Sequence, residues 1–286
     1  MNNNGEPVHV GRDFGGREVT IGEARIERYV AALGQRPALY GEYAPALTLH
    51  SECYENLEWY LANIWGNLHA RQEWELFEPM RVGATVQTRG FIRDRYRKRG
   101  RDYVVKETWV LDGTGRLLSR GLTHQSFLVP RDAEDASASA PMAVDKDREK
   151  SSERRFEIGG RGVALTPLGL EVTDDVCMAF SGPAENYHTN REAALAFGFP
   201  DIVVQGMLPV CLVSELLTRD FGLGWLAGGK MDVRLVNVLW ARDRVEARAE
   251  TVDEVPEAGR IRVHLEVWVQ KDDGTKVVIG TASALR

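Results

Sequence analysis

The sequence predicts an α+β fold made of two copies of one domain, and three observations carry that expectation. First, sliding Val86–Thr123 forward by 159 residues lays it on Val245–Ala282 without a gap. The block Glu107-Thr108-Trp109-Val110 then falls on Glu266-Val267-Trp268-Val269, Gly100–Arg101 on Gly259–Arg260, Gly115 on Gly274 and Gly121 on Gly280. A period this long marks a duplicated domain, not a solenoid. Second, each copy ends in strand-like runs joined by glycine turns. Third, a segment of helical pattern precedes each set of strands.

Taken in order, residues 47–65 (LTLHSECYENLEWYLANIW) carry the helical pattern of the first copy. Residues 102–111 (DYVVKETWVL) are rich in β-branched and aromatic side chains and read as a strand. Asp112-Gly113-Thr114-Gly115 turns that strand into LLSRGLT, and Asp272-Asp273-Gly274 does the same after strand 261–269. Each copy therefore closes in an antiparallel meander of about three strands. In the second copy, residues 208–217 are apolar on nearly every face, as for a helix covered by other structure. A covered helix on an antiparallel sheet, twice over, is α+β. Residues 131–155 hold charge, Ala and Ser but few large apolar groups, so they read as a linker. The expected division is a first domain over 1–130, a linker over 131–160 and a second domain over 161–286.

A chain of 286 residues suffices for two such domains. The formal charge of −6 opposes general nucleic-acid binding. Cys53, Cys177 and Cys211 are scattered and odd in number, against a disulfide framework or a structural zinc site. Neither a secretory leader nor an apolar stretch of membrane-spanning length is legible, so the expected setting is cytoplasmic, without a membrane partner.

The richest segment is Phe180–Met207 (FSGPAENYHTNREAALAFGFPDIVVQGM). Ser181-Gly182-Pro183 is turn chemistry and leads to His188. Asn190 is a plausible N-cap for a helix over 191–197, ended by Gly198. An extended run then enters Gln205-Gly206-Met207 at the start of the covered helix. Backbone N–H groups there lie at a positive helix end, suited to a carbonyl oxygen gaining negative charge.

Ser181-Gly182, His188, Ala193, Gly198-Phe199 and Gly206-Met207 resemble, in order, the signature of the MaoC-like (R)-specific enoyl-CoA hydratases, S-G-D-x-N-P-[IL]-H followed by an alanine helix and a G-F…H-G-M element. Ala44-Pro45, Glu78-Pro79-x-Arg81-Val82-Gly83 and Lys98–Tyr103 resemble the amino-terminal domain of the two-copy members. The resemblance implies a double hotdog, two repeats of a long helix wrapped by an antiparallel sheet. It implies reversible addition of water to a trans-2-enoyl-CoA, with coenzyme A entering as part of the substrate and no other cofactor or metal. On it, His188 is the acid/base and the Gly206 amide the oxyanion donor; Tyr187, Gln205 and Met207 are candidate substrate contacts. A homodimer of double-hotdog chains is a further possibility.

The departure is at Pro183, where the family has Asp; Glu185 stands for its Asn and Asn186 for its Pro. Three readings stay open: Glu185 supplies the carboxylate, Asn186 orients water beside His188, or the site binds a thioester without hydrating it. Hydrolysis of an acyl-CoA is the enzymatic alternative, since hotdog proteins include thioesterases.

Other features have plainer readings. His9, His50, His69, His124 and His264 read as structural or surface, and Trp109 and Trp268 as core residues of paired strands. The arginine run 93–101 reads as a solvated hairpin tip. Tyr54, Trp59, Tyr60 and Trp65 of the first helix are expected to shape the acyl tunnel. A shift of 148 residues lays Gly34 on Gly182 and Tyr40 on His188, so one site per chain is expected.

Overall fold

The computed structural model describes residues 8–60, 67–98, 101–128 and 156–286. The first repeat runs β1 (Asp13–Thr20), α1 (Glu23–Leu33), 3-10 turns at Ala38–Gly41 and His50–Tyr54, α2 (Leu57–Tyr60), β2 (Leu68–Leu76), β3 (Thr85–Lys98), β4 (Arg101–Leu111) and β5 (Leu117–Leu128). The second runs β6 (Val163–Ala164), β7 (Leu168–Glu171), α3 (Asp174–Ser181), α4 (Arg191–Ala196), α5 (Met207–Phe221), α6 (Leu223–Leu226), β8 (Lys230–Leu235), β9 (Arg244–Glu257), β10 (Arg260–Lys271) and β11 (Lys276–Leu285). Both expected meanders are present, as β3-β4-β5 and β9-β10-β11.

The two repeats share one sheet, ordered β1-β3-β4-β5-β2-β8-β11-β10-β9-β6, with β7 also on β9. The join is the antiparallel pair β2–β8, in which Glu73 lies opposite Asp232. These two positions are 159 residues apart, so each is the other's repeat equivalent and the pseudo-twofold axis passes between them. Arg71 offsets their like charges, meeting Asp232 through Nε at 2.7 Å and Nη2 at 2.6 Å, and Glu73 at 3.4 Å.

The sheet wraps α5, in which every residue from Met207 to Thr218 is buried. A helix apolar on all sides is stable only inside such a wrapping. Its core cluster reaches into the first repeat through Tyr29, Leu33, Leu47 and Trp74.

The first repeat departs from the expected long helix. Within the described part, residues 47–56 do not form the expected α-helix: a 3-10 turn ends at Tyr54 and Asn56 takes a φ of 63°, after which α2 starts at Leu57; residues 61–65 lie outside the described set. The reason lies in the sheet beneath. Its inner face carries the buried polar residues Gln72, Thr88, Lys106, Thr108, Thr123 and Gln125, where the second repeat has Met231, Ala247, Leu265, Val267, Ala282 and Ala284. Lys106 Nζ donates to the carbonyl oxygens of Glu52, at 2.9 Å, and of Glu55, serving acceptors that a continuing helix would pair internally. A polar floor gives an apolar helix little to bury against, so the segment breaks.

Both tryptophans sit in paired strands as expected, Trp268 buried and Trp109 only half-buried, and neither joins the hydrophobic core clusters. Trp268 lies under the 156–162 segment, where a Cβ on Gly159 would meet its ring at 2.6 Å. Gly159, Arg161 and Gly162 donate backbone N–H bonds to Glu266 and Glu250 beside it. Residues 156–160, placed in the linker by composition, thus pack on the second half-sheet. Trp109 is half-buried, edge-on to Phe91 with its Nε1 donating to Glu107. Of the proposed linker, residues 131–155 lie outside the described residues. Among the described residues no helix is long and apolar enough to cross a membrane.

Candidate active site

The site is assembled where the segment after α3 meets the start of α5. Thr173 caps α3 by accepting from the Val176 N–H at 3.2 Å. The helix ends at Gly182, where a Cβ would approach the Met178 carbonyl oxygen to 2.4 Å, so the close turn requires glycine. A tight polar knot then sets His188. Asn186 Oδ1 accepts from the His188 N–H at 2.8 Å, while Asn186 Nδ2 donates to the Ala184 carbonyl at 3.1 Å. Thr189 Oγ1 accepts from the Asn186 N–H at 2.9 Å and donates to the Ala184 carbonyl at 3.0 Å. Downstream, Asn190 caps α4 by accepting from Ala193 N–H at 2.9 Å, as expected, and Gly198 follows in a left-handed conformation.

His188 is half-buried, and its Nδ1 lies 2.6 Å from the Val203 carbonyl oxygen. A carbonyl only accepts, so Nδ1 carries the ring proton and Nε2 is the basic nitrogen. Burial lowers the imidazole's pKa below its ordinary value, with the Val203 bond opposing that shift. His188 is therefore neutral at neutral pH, the state in which it takes a proton. The Tyr187 ring lies 4.1 Å from it and also packs on Phe197 and Phe199.

Val203 bridges to Trp240, and Val204 N–H donates to the Leu239 carbonyl, which holds this run extended into α5. Gly206 is the N-cap of α5, with no side-chain cap on the helix. Among the described residues no acceptor meets the Gly206 N–H. A Cβ at Gly206 would lie 2.6 Å from Leu235 Cδ2 and 3.2 Å from His69 Nδ1, so only glycine brings the chain this close to both. Met207 is fully buried, and Gln205 holds a buried Oε1 without a partner among the described residues.

The structure thus ties Tyr187 and His188 to Val203, on the run that leads into Gln205, Gly206 and Met207. It does not bring Glu185 with them, because that side chain is exposed, as is Pro183. Asn186 acts on His188 through the backbone, its side-chain amide already spent in the turn. Glu215 is 1% exposed and meets the Tyr40 hydroxyl, which donates to its carboxylate at 2.6 and 2.7 Å. Asp201 pairs with Arg242 at 2.7 Å, and Glu42 with Arg81 at 2.7 Å. Sequence reasoning named Tyr54 only as a wall of the acyl tunnel and read His69 as structural or surface, so neither was expected at this end of α5. A lone histidine in an unremarkable strand gives no signal, and only the packing on Gly206 reveals it.

No protein-family model matches the sequence, and neither does any curated protein sequence. Solved structures do match in fold. A MaoC-like dehydratase aligns over 97% of this chain and 98% of its own, with a TM-score of 0.73 at 16% identity. A MaoC-like dehydratase from Phytophthora capsici aligns over 95% of each chain, with a TM-score of 0.71 at 15% identity. A conserved hypothetical protein from Mycobacterium tuberculosis, described as having a double hotdog fold, aligns over 97% of this chain and 96% of its own, with a TM-score of 0.64 at 17% identity. The chain is a double hotdog. In this double hotdog the second repeat keeps the long wrapped helix, while the first replaces it with a broken segment over a polar floor.

Proposed function

We propose that this double hotdog catalyses reversible addition of water to the double bond of a trans-2-enoyl-CoA thioester. The observation that carries the reading is His188, whose Nδ1–H is fixed by the Val203 carbonyl so that Nε2 is left as the base; Val203 lies on the run that leads three residues later to the Gly206 N-cap of α5. In the hydration direction, water attacks C3 and passes a proton to His188 Nε2. The electron pair of the double bond moves through C2 to the thioester oxygen, where the Gly206 N–H stabilises the charge. C2 then takes that proton from His188 Nε2, leaving the hydroxyacyl thioester and a neutral imidazole. Coenzyme A enters as the carrier of the acyl chain. The fold-level similarity to MaoC-like dehydratases supports the same reading. The three cysteines are reduced and buried, which fits a cytoplasmic setting.

Pro183 and the exposed Glu185 favour one second reading, a thioester-binding protein that does not hydrate. Following enoyl absorbance and thiol release together on a panel of enoyl-CoA and acyl-CoA thioesters separates the possibilities. Loss of enoyl absorbance without thiol is the expected result, and His188→Ala should lower that rate about 10²- to 10⁴-fold. Thiol release would instead assign a thioesterase, and binding without either change would leave the non-catalytic reading.

A further inference from the structure

The first repeat delivers two side chains to the second repeat's helix. His69, in β2, packs against Gly206, and the Tyr54 hydroxyl lies 2.8 Å from its Nδ1 with the two rings edge to face. The direction of this bond follows from the groups behind it. Gln72 Nε2 donates to the Glu73 carbonyl, and Thr123 Oγ1 donates to Gln72 Oε1 at 2.9 Å, so Oε1 is the acceptor end of that amide. His69 Nε2 is 3.0 Å from the same Oε1 and must carry the ring proton. Nδ1 is then the acceptor, and Tyr54 donates to it. The backbone N–H of Met207 lies near the Tyr54 hydroxyl and favours negative charge there.

We propose that Tyr54 is the second donor of the oxyanion site at Gly206, its hydroxyl turning from the His69 imidazole to the thioester oxygen as that oxygen becomes enolate-like. The proposal rests on the hydratase reading above and adds a catalytic residue from the other repeat. Rotation of the O–H about its bond to the ring needs no movement of the ring. An anionic oxygen is a stronger acceptor than a neutral imidazole, so the charge that develops in the reaction draws the hydroxyl over. Burial, helped by Cys53, Cys211 and Tyr187 nearby, keeps the phenol protonated well above its usual range. Burial likewise pushes His69 down to about 4, so the imidazole behind it stays neutral. The donor is thus loaded wherever His188 is an unprotonated base. Tyr54 gives up no proton in this role; it supplies a hydrogen bond that strengthens as the charge forms.

The test uses acetoacetyl-CoA, a β-keto thioester whose enolate is stabilised by oxyanion donors and absorbs in the near ultraviolet. Binding affinity and bound enolate fraction are measured on wild type, Tyr54→Phe and His188→Ala, with hydration followed separately. The expected result is bound enolate in wild type and His188→Ala, with the enolate-to-keto ratio lowered roughly ten- to a hundredfold in Tyr54→Phe at little cost in affinity. On an enoyl-CoA, Tyr54→Phe should lower kcat about 10²- to 10³-fold with KM little changed. An unchanged enolate ratio in Tyr54→Phe, or no enolate in wild type, overturns the role of Tyr54 whatever the hydration assay shows. Enolate lost in Tyr54→Phe without hydration by wild type overturns the hydratase reading alone. Should Tyr54→Phe not fold, fluorotyrosine at position 54, a stronger donor, must raise the enolate ratio, and a fall or no change overturns the proposal.

Discussion

The loops that follow α1 and α3 occupy equivalent places in the two repeats, yet their key side chains do opposite things. Tyr40 turns into the core, 3% exposed, and spends its hydroxyl on the buried carboxylate of Glu215. His188 stays half-buried and fixes one nitrogen on Val203, the other being the base of the proposed reaction. The same division runs through the sheet, whose inner face is polar in the first repeat and apolar in the second. Leu265 packs in the core around α5 where its equivalent, Lys106, reaches up to backbone carbonyls. Duplication supplied two frames; one became the packed half that anchors a helix end, and the other became the wall that shapes what meets it.

The outer tryptophans allow the sharpest stability test of that asymmetry. Trp268 is 6% exposed beneath the 156–162 segment, while Trp109 is half-covered. Trp268→Ala should cost about 3–5 kcal/mol in urea unfolding, against about 1–2 kcal/mol for Trp109→Ala. Equal losses would mean that the covering segment adds nothing and that the halves are energetically alike.

A pH effect of similar size belongs to the Tyr40 side. Burial raises Glu215 to about 7, with the Tyr40 and Tyr29 hydroxyls opposing the shift. Unfolded, the carboxyl loses its proton near its ordinary value of 4.5. Between those values the folded state holds the proton that the unfolded state has released, so this group's contribution is greatest below about 4.5 and is lost as pH rises through about 7. The loss should approach ~3 kcal/mol. Denaturant midpoints of wild type and Glu215→Gln across pH 4 to 8 measure it: the wild-type slope should flatten in the variant, and parallel curves would remove Glu215 from the account.

On the His188 side the effect is smaller and kinetic. Because burial holds the His188 pKa below its ordinary value, kcat/KM for enoyl-CoA hydration should stay level through the usual histidine range and fall only on further acidification. A midpoint at or above the ordinary value of 6.5 would contradict the buried, neutral base.

The elements that local chemistry specifies were legible in the sequence. The glycine turns placed both hairpins, Asn190 placed α4, and the all-round apolar run placed α5. The helix expected over 47–65 was not, because its fate depends on Lys106 and the polar residues of strands that lie far away in the chain. At the site, His188 and Gly206 stood out through their surrounding motif. Tyr54 stood out only as an aromatic of the expected first helix and His69 not at all, since their place beside Gly206 arises from packing between the two repeats. The pairing of Glu73 with Asp232 was implicit in the 159-residue shift, but only the sheet shows that the duplication axis runs between them.

The central claim is that one of the two equivalent loops is catalytic and the other structural. Hydration of crotonyl-CoA by wild type, Tyr40→Phe and His188→Ala, each confirmed folded by its unfolding curve, tests it in one assay. The account predicts that Tyr40→Phe keeps the wild-type rate within about threefold while losing stability, and that His188→Ala loses about a hundredfold or more while staying folded. A His188→Ala protein that hydrates at the wild-type rate, or a Tyr40→Phe protein that loses as much activity as His188→Ala, would contradict it.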